Sequence, residues 1–265
     1  MAKIIRKGHQ LENEYRGIEN EREQQGKDAG SAFLKVALFA ILAVAVFALT
    51  GNLRDNAVSF KNSAIVIGAI VFFGFIIVRS SPDSYREADS KILASGIEGE
   101  RIAANILSRL SDEYVVYQDV VISYGGGSSE IDNIVVGPSG VFAVETKNHN
   151  GNIVGNYEEH TWEQEKIGRG GSLYSEELHS PVKQIGTHIY RLANYLRDNG
   201  VQIYVEGAVL FTNAECSVRV YGNGEIPVFS VAQNEADSLL KFILNGRAHL
   251  DGRAISQICR LLSTT

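Results

Sequence analysis

Two apolar runs dominate the first third of the chain. From Ala32 to Thr50 it reads AFLKVALFAILAVAVFALT, with Lys35 as the one charge, and from Ala64 to Val78 it reads AIVIGAIVFFGFIIV, with none. Neither run shows the polar stripe, recurring every three or four residues, that marks a helix half-buried in a soluble core. At ~1.5 Å per helical residue the first run extends roughly 28 Å and the second roughly 22 Å. A hydrocarbon layer of ~30 Å is crossed by the first alone, and by the second with flanking residues or local thinning. The pattern predicts a transmembrane hairpin over 32–79, with spans near 32–50 and 63–79.

Beyond 80 the pattern changes to alternating helical and strand periods. After a linker over 80–95, Ile102, Ala103, Ile106, Leu107 and Leu110 predict a helix over 98–110. Val- and Tyr-rich 114–123 predicts a strand, and two more follow at 130–136 and 141–147, separated by Gly137-Pro138-Ser139-Gly140. From 148 to 179 the pattern fades into a polar stretch. Ser180-Pro181 then predicts a helix start, with Ser180 as N-cap and Val182, Ile185, Ile189, Leu192 and Leu196 as its apolar stripe. A strand over 204–212, a short one near Val228 and helices near 235–244 and 253–262 complete an α/β domain over 96–265.

Residues 1–31 are polar and of mixed charge, compatible with a short amphipathic helix or a disordered tail. Charge then orients the hairpin. Arg22, Lys27 and Lys35 precede or begin the first span, Arg79, Arg86 and Lys91 follow the second, and the loop holds only Arg54 and Lys61. That asymmetry predicts an integral membrane protein with both termini cytoplasmic. The whole chain carries −6, and 96–265 alone has 13 basic against 21 acidic residues. A general basic face for nucleic acid is therefore excluded, leaving local contacts. Two cysteines, Cys216 and Cys259, exclude a disulfide scaffold. The six histidines have no zinc-site spacing, and the glycine runs at Gly125 and Gly170 lack the Lys-Ser/Thr of a P-loop.

The hairpin around Gly137–Gly140 carries the candidate chemistry. If Val136 faces Val141, then Asp132 faces Glu145 and Glu130 faces Lys147, all on one side of the sheet. Ile131, Asn133, Val135, Phe142, Val144 and Thr146 would point the other way. Opposed carboxylates ~5 Å apart repel. They call for a cation between them or solvent around them. Mg²⁺ held by two carboxylates, its remaining positions left to water and phosphate, satisfies that demand, and a lysine two residues on could stabilise developing charge.

The segments GIEGERIAANIL, EIDNIVVGPSGVFAVETKNHNGNI and SPVKQI, with Trp162 between the last two, resemble the nuclease-related domain (NERD) family, over about 96–210. That family is placed in the PD-(D/E)xK nuclease superfamily. The resemblance implies a restriction-endonuclease-like core of helix, three-strand meander, helix and strand. It implies Asp132 and Glu145 as metal-binding acids and Lys147 as the catalytic lysine. It implies Glu100 as an acid on the first helix that completes the metal site, and Gln184 as the helix glutamine beside it. Ile131 stands where the motif name has proline, and Asn133 where many relatives have histidine; on the opposite face, Asn133 is expected to act on packing. Trp162 is read as a packing residue. The expected function is a membrane-anchored, Mg²⁺- or Mn²⁺-dependent nuclease acting on nucleic acid, with DNA the expected substrate. The alternative is a catalytically weak or inactive membrane-tethered nucleic-acid-binding or scaffolding module of the same fold.

Overall fold

The structure, a computed structural model, describes residues 1–9, 11–24, 27, 31, 34, 35, 38, 83–168 and 170–265. Apart from 34, 35 and 38, both predicted spans lie outside the described residues. Among the described residues no helix is long and apolar enough to cross a membrane. The chain divides into two compact units, Glu12–Leu93 and a larger one formed by Met1–Leu11 with Ala94–Thr265. In the smaller unit residues 12–24 are helical, with Arg22 3.9 Å from Glu19 one turn away.

The larger unit is built on a six-stranded sheet, ordered β1-β2-β3-β4-β8-β10. Its strands are β1 (Lys3–Arg6), β2 (Val115–Tyr124), β3 (Gly127–Gly137), β4 (Gly140–Lys147), β8 (Val205–Phe211) and β10 (Val228–Ser230). β2, β3 and β4 form an antiparallel meander, while β8 lies parallel to β4 and β1 parallel to β2. Every residue of β8 is buried, as expected of a strand flanked on both sides and covered on both faces.

Helices cover the two faces. α2 (Pro181–Asp198) lays Val182, Ile185, Leu192 and Leu196 against Ile134, Val136, Val141 and Ala143, with Ile258 and Leu262 of α4 (Gly252–Ser263) in the same cluster. On the other face Ala103, Ile106 and Leu107 of α1 (Asp83–Leu107) and Leu239 and Ile243 of α3 (Ala236–Leu244) pack on Val116, Val135, Phe142 and Val144. The order helix, three-strand meander, helix, strand agrees with the pattern read along the chain. Pro181 opens α2 as expected, but the Ser180 hydroxyl makes no capping bond; its carbonyl accepts from Lys183 and Gln184 instead.

Three features depart from expectation. α1 begins at Asp83, so most of the stretch expected as a linker over 80–95 is helical, and it ends at Leu107 rather than 110. Residues 3–6, where helix and tail were both compatible, form an edge strand. The polar stretch after 148 folds into β5 (Gly151–Asn156), β6 (Thr161–Ile167) and β7 (Leu173–His179), which with β9 (Cys216–Tyr221) make a second sheet ordered β7-β6-β5-β9. Trp162 on β6 is buried, stacks 6.5 Å from Phe211 and donates to the Asn156 carbonyl, so it packs as predicted.

Candidate active site

The β3–β4 hairpin has the register its turn demands. Gly137 faces Gly140, Val136 faces Val141, and the pairing runs to Asn133 opposite Val144. There the regular ladder stops: the Thr146 backbone N–H donates to Asp132 Oδ2 at 2.7 Å, so this carboxylate takes up a donor at the end of the pairing. Glu130 is solvent-exposed, and no pairing joins it to Lys147.

A backbone feature next to Asp132 overturns one part of the face assignment. Asp119 on β2 has φ +55, a left-handed conformation uncommon outside glycine, and the pair Asp119–Asp132 is missing from the ladder. The register is unchanged on either side, with Gln118 opposite Asn133 and Val120 opposite Ile131. No residue is inserted; the strands instead change which residues face inward. Ile131, expected with Asn133 and Val135, packs in the cluster of Ile134 and Val136, together with Val120 and Ile122.

Around Asp132 four elements contribute polar groups. β4 brings Glu145, 1% exposed, and Lys147, whose Nζ lies 2.7 Å from Glu145 Oε1. α2 brings Gln184, whose Oε1 accepts from Lys147 Nζ at 3.0 Å, and, one turn later, His188, with Nε2 3.3 Å from Glu145 Oε2. α1 brings Glu100, and β1 brings Arg6, which donates to Glu100 Oε2 at 2.7 Å and approaches Asp119 Oδ2 at 3.3 Å. Lys147 is thus held between an acid and an amide, with its direction fixed. Behind the site Gln118 donates to Asn133, and Asn133 donates to the Thr146 hydroxyl, each at 3.1 Å. Asn133 therefore steadies the hairpin from the far face, as expected.

The two hairpin acids are driven apart in acidity. Burial pushes the Asp132 carboxyl well above the usual carboxylate range, and the charges of Glu145 and Glu100 push it further, against the Thr146 N–H and Lys147. Burial acts on Glu145 in the same sense, but His188 and Lys147 outweigh it and hold Glu145 below its ordinary value. Such a split between neighbouring carboxyls is common where chemistry is done.

All five residues singled out from the sequence, Glu100, Asp132, Glu145, Lys147 and Gln184, belong to this one site. Asp132 senses Glu100, Glu145 and Lys147, and Gln184 joins through Lys147. His188, Arg6 and Asp119 were not foreseen. His188 had a signal, since it follows Gln184 by four residues on the same helix face. Arg6 had none, because 94 residues separate it from Glu100.

Among the described residues no group of three His, Cys, Asp or Glu side chains is arranged to hold a metal ion. The residues nevertheless fit a hard divalent cation. The donors are carboxylate oxygens, and Glu145 Oε2 is buried without a hydrogen bond. A small cation that needs one or two carboxylates and takes the rest from water and phosphate matches that set.

Carboxylates, a lysine and a glutamine thus meet at the end of a strand hairpin in a mixed α/β domain. Residues 95–212 match the family model described as nuclease-related domain, NERD, which supports placing this part of the chain in that family. The match encloses every residue of the site except Arg6. Over 92 residues the chain is 36% identical to an uncharacterized protein of Bacillus anthracis, a similarity covering 34% of this chain and 43% of that protein. The chain thus spans less than half the length of that relative. No solved structure matches.

Proposed function

We propose that the protein is a membrane-anchored nuclease of the PD-(D/E)xK type that hydrolyses phosphodiester bonds with Mg²⁺ or Mn²⁺. The observation that carries this reading is the fixing of Lys147 between Glu145 Oε1 and Gln184 Oε1 beside Asp132. Asp132 and Glu145 would hold the ion, with Glu100 assisting. When bound, the ion supplies charge stabilisation at the phosphate and a lowered pKa for water. The chain's own groups do the rest. Lys147 aims its ammonium at the attacking water and at the charge that builds on phosphate oxygens. Gln184 fixes that ammonium, and His188 lies 3.3 Å from the far oxygen of Glu145. Substrate contacts are local, given the acidic domain, and DNA is the substrate class we favour. The runs 32–50 and 63–79 would place the protein in the bilayer, with the catalytic domain in the cytoplasm.

The test uses the full chain in detergent, with labelled single- and double-stranded DNA and RNA, with and without Mg²⁺ or Mn²⁺. Wild type is expected to cleave only with metal. Glu145→Ala should lose both cleavage and metal-induced stabilisation, the latter arising because the ion binds only the folded state. Lys147→Ala should lose cleavage by about a hundredfold or more while keeping the metal response. A wild type inert on every nucleic acid would overturn the reading in favour of a binding or scaffolding module.

A further inference from the structure

We infer that β1, which precedes the apolar runs, is a working part of the catalytic domain, and that Arg6 is a positioning residue that aims Glu100 at the metal site. The inference rests on the functional reading above. It starts from how firmly the N-terminal residues are built in. Lys3 to Arg6 pair in parallel with Val115 to Gln118. Beyond the strand, the Ala2 N–H donates to the Ser108 carbonyl at 3.1 Å and the Lys7 N–H to the Gln118 carbonyl at 2.9 Å. Ala2 is itself buried, in the cluster that holds Ala103 and Leu107 of α1.

From that strand a single guanidinium reaches two acids on two different elements, Glu100 of α1 and Asp119 of β2. Arg6 is 24% exposed, Glu100 15% and Asp119 9%, so the contacts are shielded from bulk solvent. A planar, permanently charged fork fixes direction as well as charge, which an ammonium does less well. Its contact with Glu100 Oε2 sets the rotamer of an acid whose charge Asp132 senses. The same segment braces the bend opposite Asp132. A Cβ added at Gly8 would lie 2.9 Å from the Cβ of Asp119, the residue in the left-handed conformation. β1 therefore acts on two points that flank Asp132: the carboxylate of Glu100 and the backbone bend at Asp119.

The experiment is a double-mutant cycle on the full chain in detergent, with Arg6→Gln, Arg6→Lys, Glu100→Gln and the Arg6→Gln/Glu100→Gln double variant. The readouts are kcat and KM on an oligonucleotide, and binding of Mn²⁺ alone, followed by its paramagnetic resonance. Arg6→Gln should lower kcat about tenfold with KM little changed, since a misplaced group costs rate more than affinity. It should also weaken Mn²⁺ binding several-fold. That direction is diagnostic, because the loss of a positive charge would by its field alone tighten cation binding. In the Glu100→Gln background the further change at Arg6 should have almost no effect, the signature of one residue acting through the other. Arg6→Lys should fall between wild type and Arg6→Gln. If Arg6→Gln fails to fold, Arg6→Lys serves instead, and an Arg6→Lys equal to wild type in both kcat and Mn²⁺ binding overturns the inference. A wild type that neither binds Mn²⁺ nor cleaves overturns the functional reading, and this inference with it. A wild type that does both, beside an Arg6→Gln that binds Mn²⁺ as tightly or adds independently to Glu100→Gln, overturns this inference alone.

Discussion

At the scale of single residues, the acids of the site have opposite effects on stability. Asp132 has a raised folded-state pKa, so its ionisation works against folding. Its contribution is fully present below the ordinary carboxylate range and is lost as pH rises through the raised value. Asp132→Asn keeps an oxygen for the Thr146 N–H and removes the charge. In EDTA at neutral pH it should be more stable than wild type, and with Mn²⁺ added the order should reverse, since only wild type gains the ion. Melting curves in the two conditions check this. His149 behaves in the other sense. Burial, with Lys147 and Lys166 nearby, lowers its pKa from 6.5 to about 4 despite Glu176. The unfolded chain therefore takes up a proton before the folded one does, and stability is lost as pH falls from 6.5 towards 4. The loss is at most about 3 kcal/mol before solvent screening reduces it. His149→Asn should flatten that limb, with urea melts at pH 7 and pH 5 as the measure; an unchanged acid limb would show that His149 is not its cause. Asp132, Glu145 and Lys147 were legible through the turn, which sets the register as far as Asn133 opposite Val144, and through the family motif beyond it. Arg6 and Asp119 were not, since parallel pairing and a left-handed residue leave no local spacing to read.

The elements were legible where one of their faces is buried. β2, β3, β4, β8 and α2 declared themselves through apolar periodicity, and each lies within three residues of its expected bounds. β5, β6 and β7 did not. β7 has no buried residue and β6 reads TWEQEKI, with only Trp162 and Gln164 buried, so charged positions outnumber the apolar ones that would mark a strand. Their stability comes from pairing and from Trp162 more than from a continuous apolar face. That places weight on Gly155 of β5, where a side chain would enter the indole ring of Trp162. Gly155→Ala should displace Trp162 from its stack on Phe211 and cost about 1–3 kcal/mol, with loss of tryptophan fluorescence anisotropy and an earlier thermal midpoint. A variant that melts with wild type would mean that β5 shifts freely to accommodate the methyl group, and that the second sheet is held by its hydrogen bonds alone.

For the whole molecule, the pairing of β1 with β2 constrains topology more strongly than charge does. Flanking Lys and Arg favour cytoplasmic ends by a thin margin. Residues 3–6 and 115–118, by contrast, share hydrogen bonds within one sheet and must lie on one side of any bilayer the chain enters. Any crossings between them must therefore be even in number. The two spans proposed at 32–50 and 63–79 would satisfy that condition, and a proposal with one span alone would not. Reporter fusions test this directly. One goes ahead of Met1 through a flexible linker, because Ala2 is buried and Gly8 abuts Asp119; the others follow Thr265 and interrupt the loop at Asn56. The two terminal fusions should report the cytoplasm and the loop fusion the opposite side. Terminal fusions on opposite sides would break the β1–β2 pairing and remove Arg6 from the site. All three reporters on one side, with full-length protein extracted by salt alone, would show that neither apolar run crosses and that the anchor does not exist.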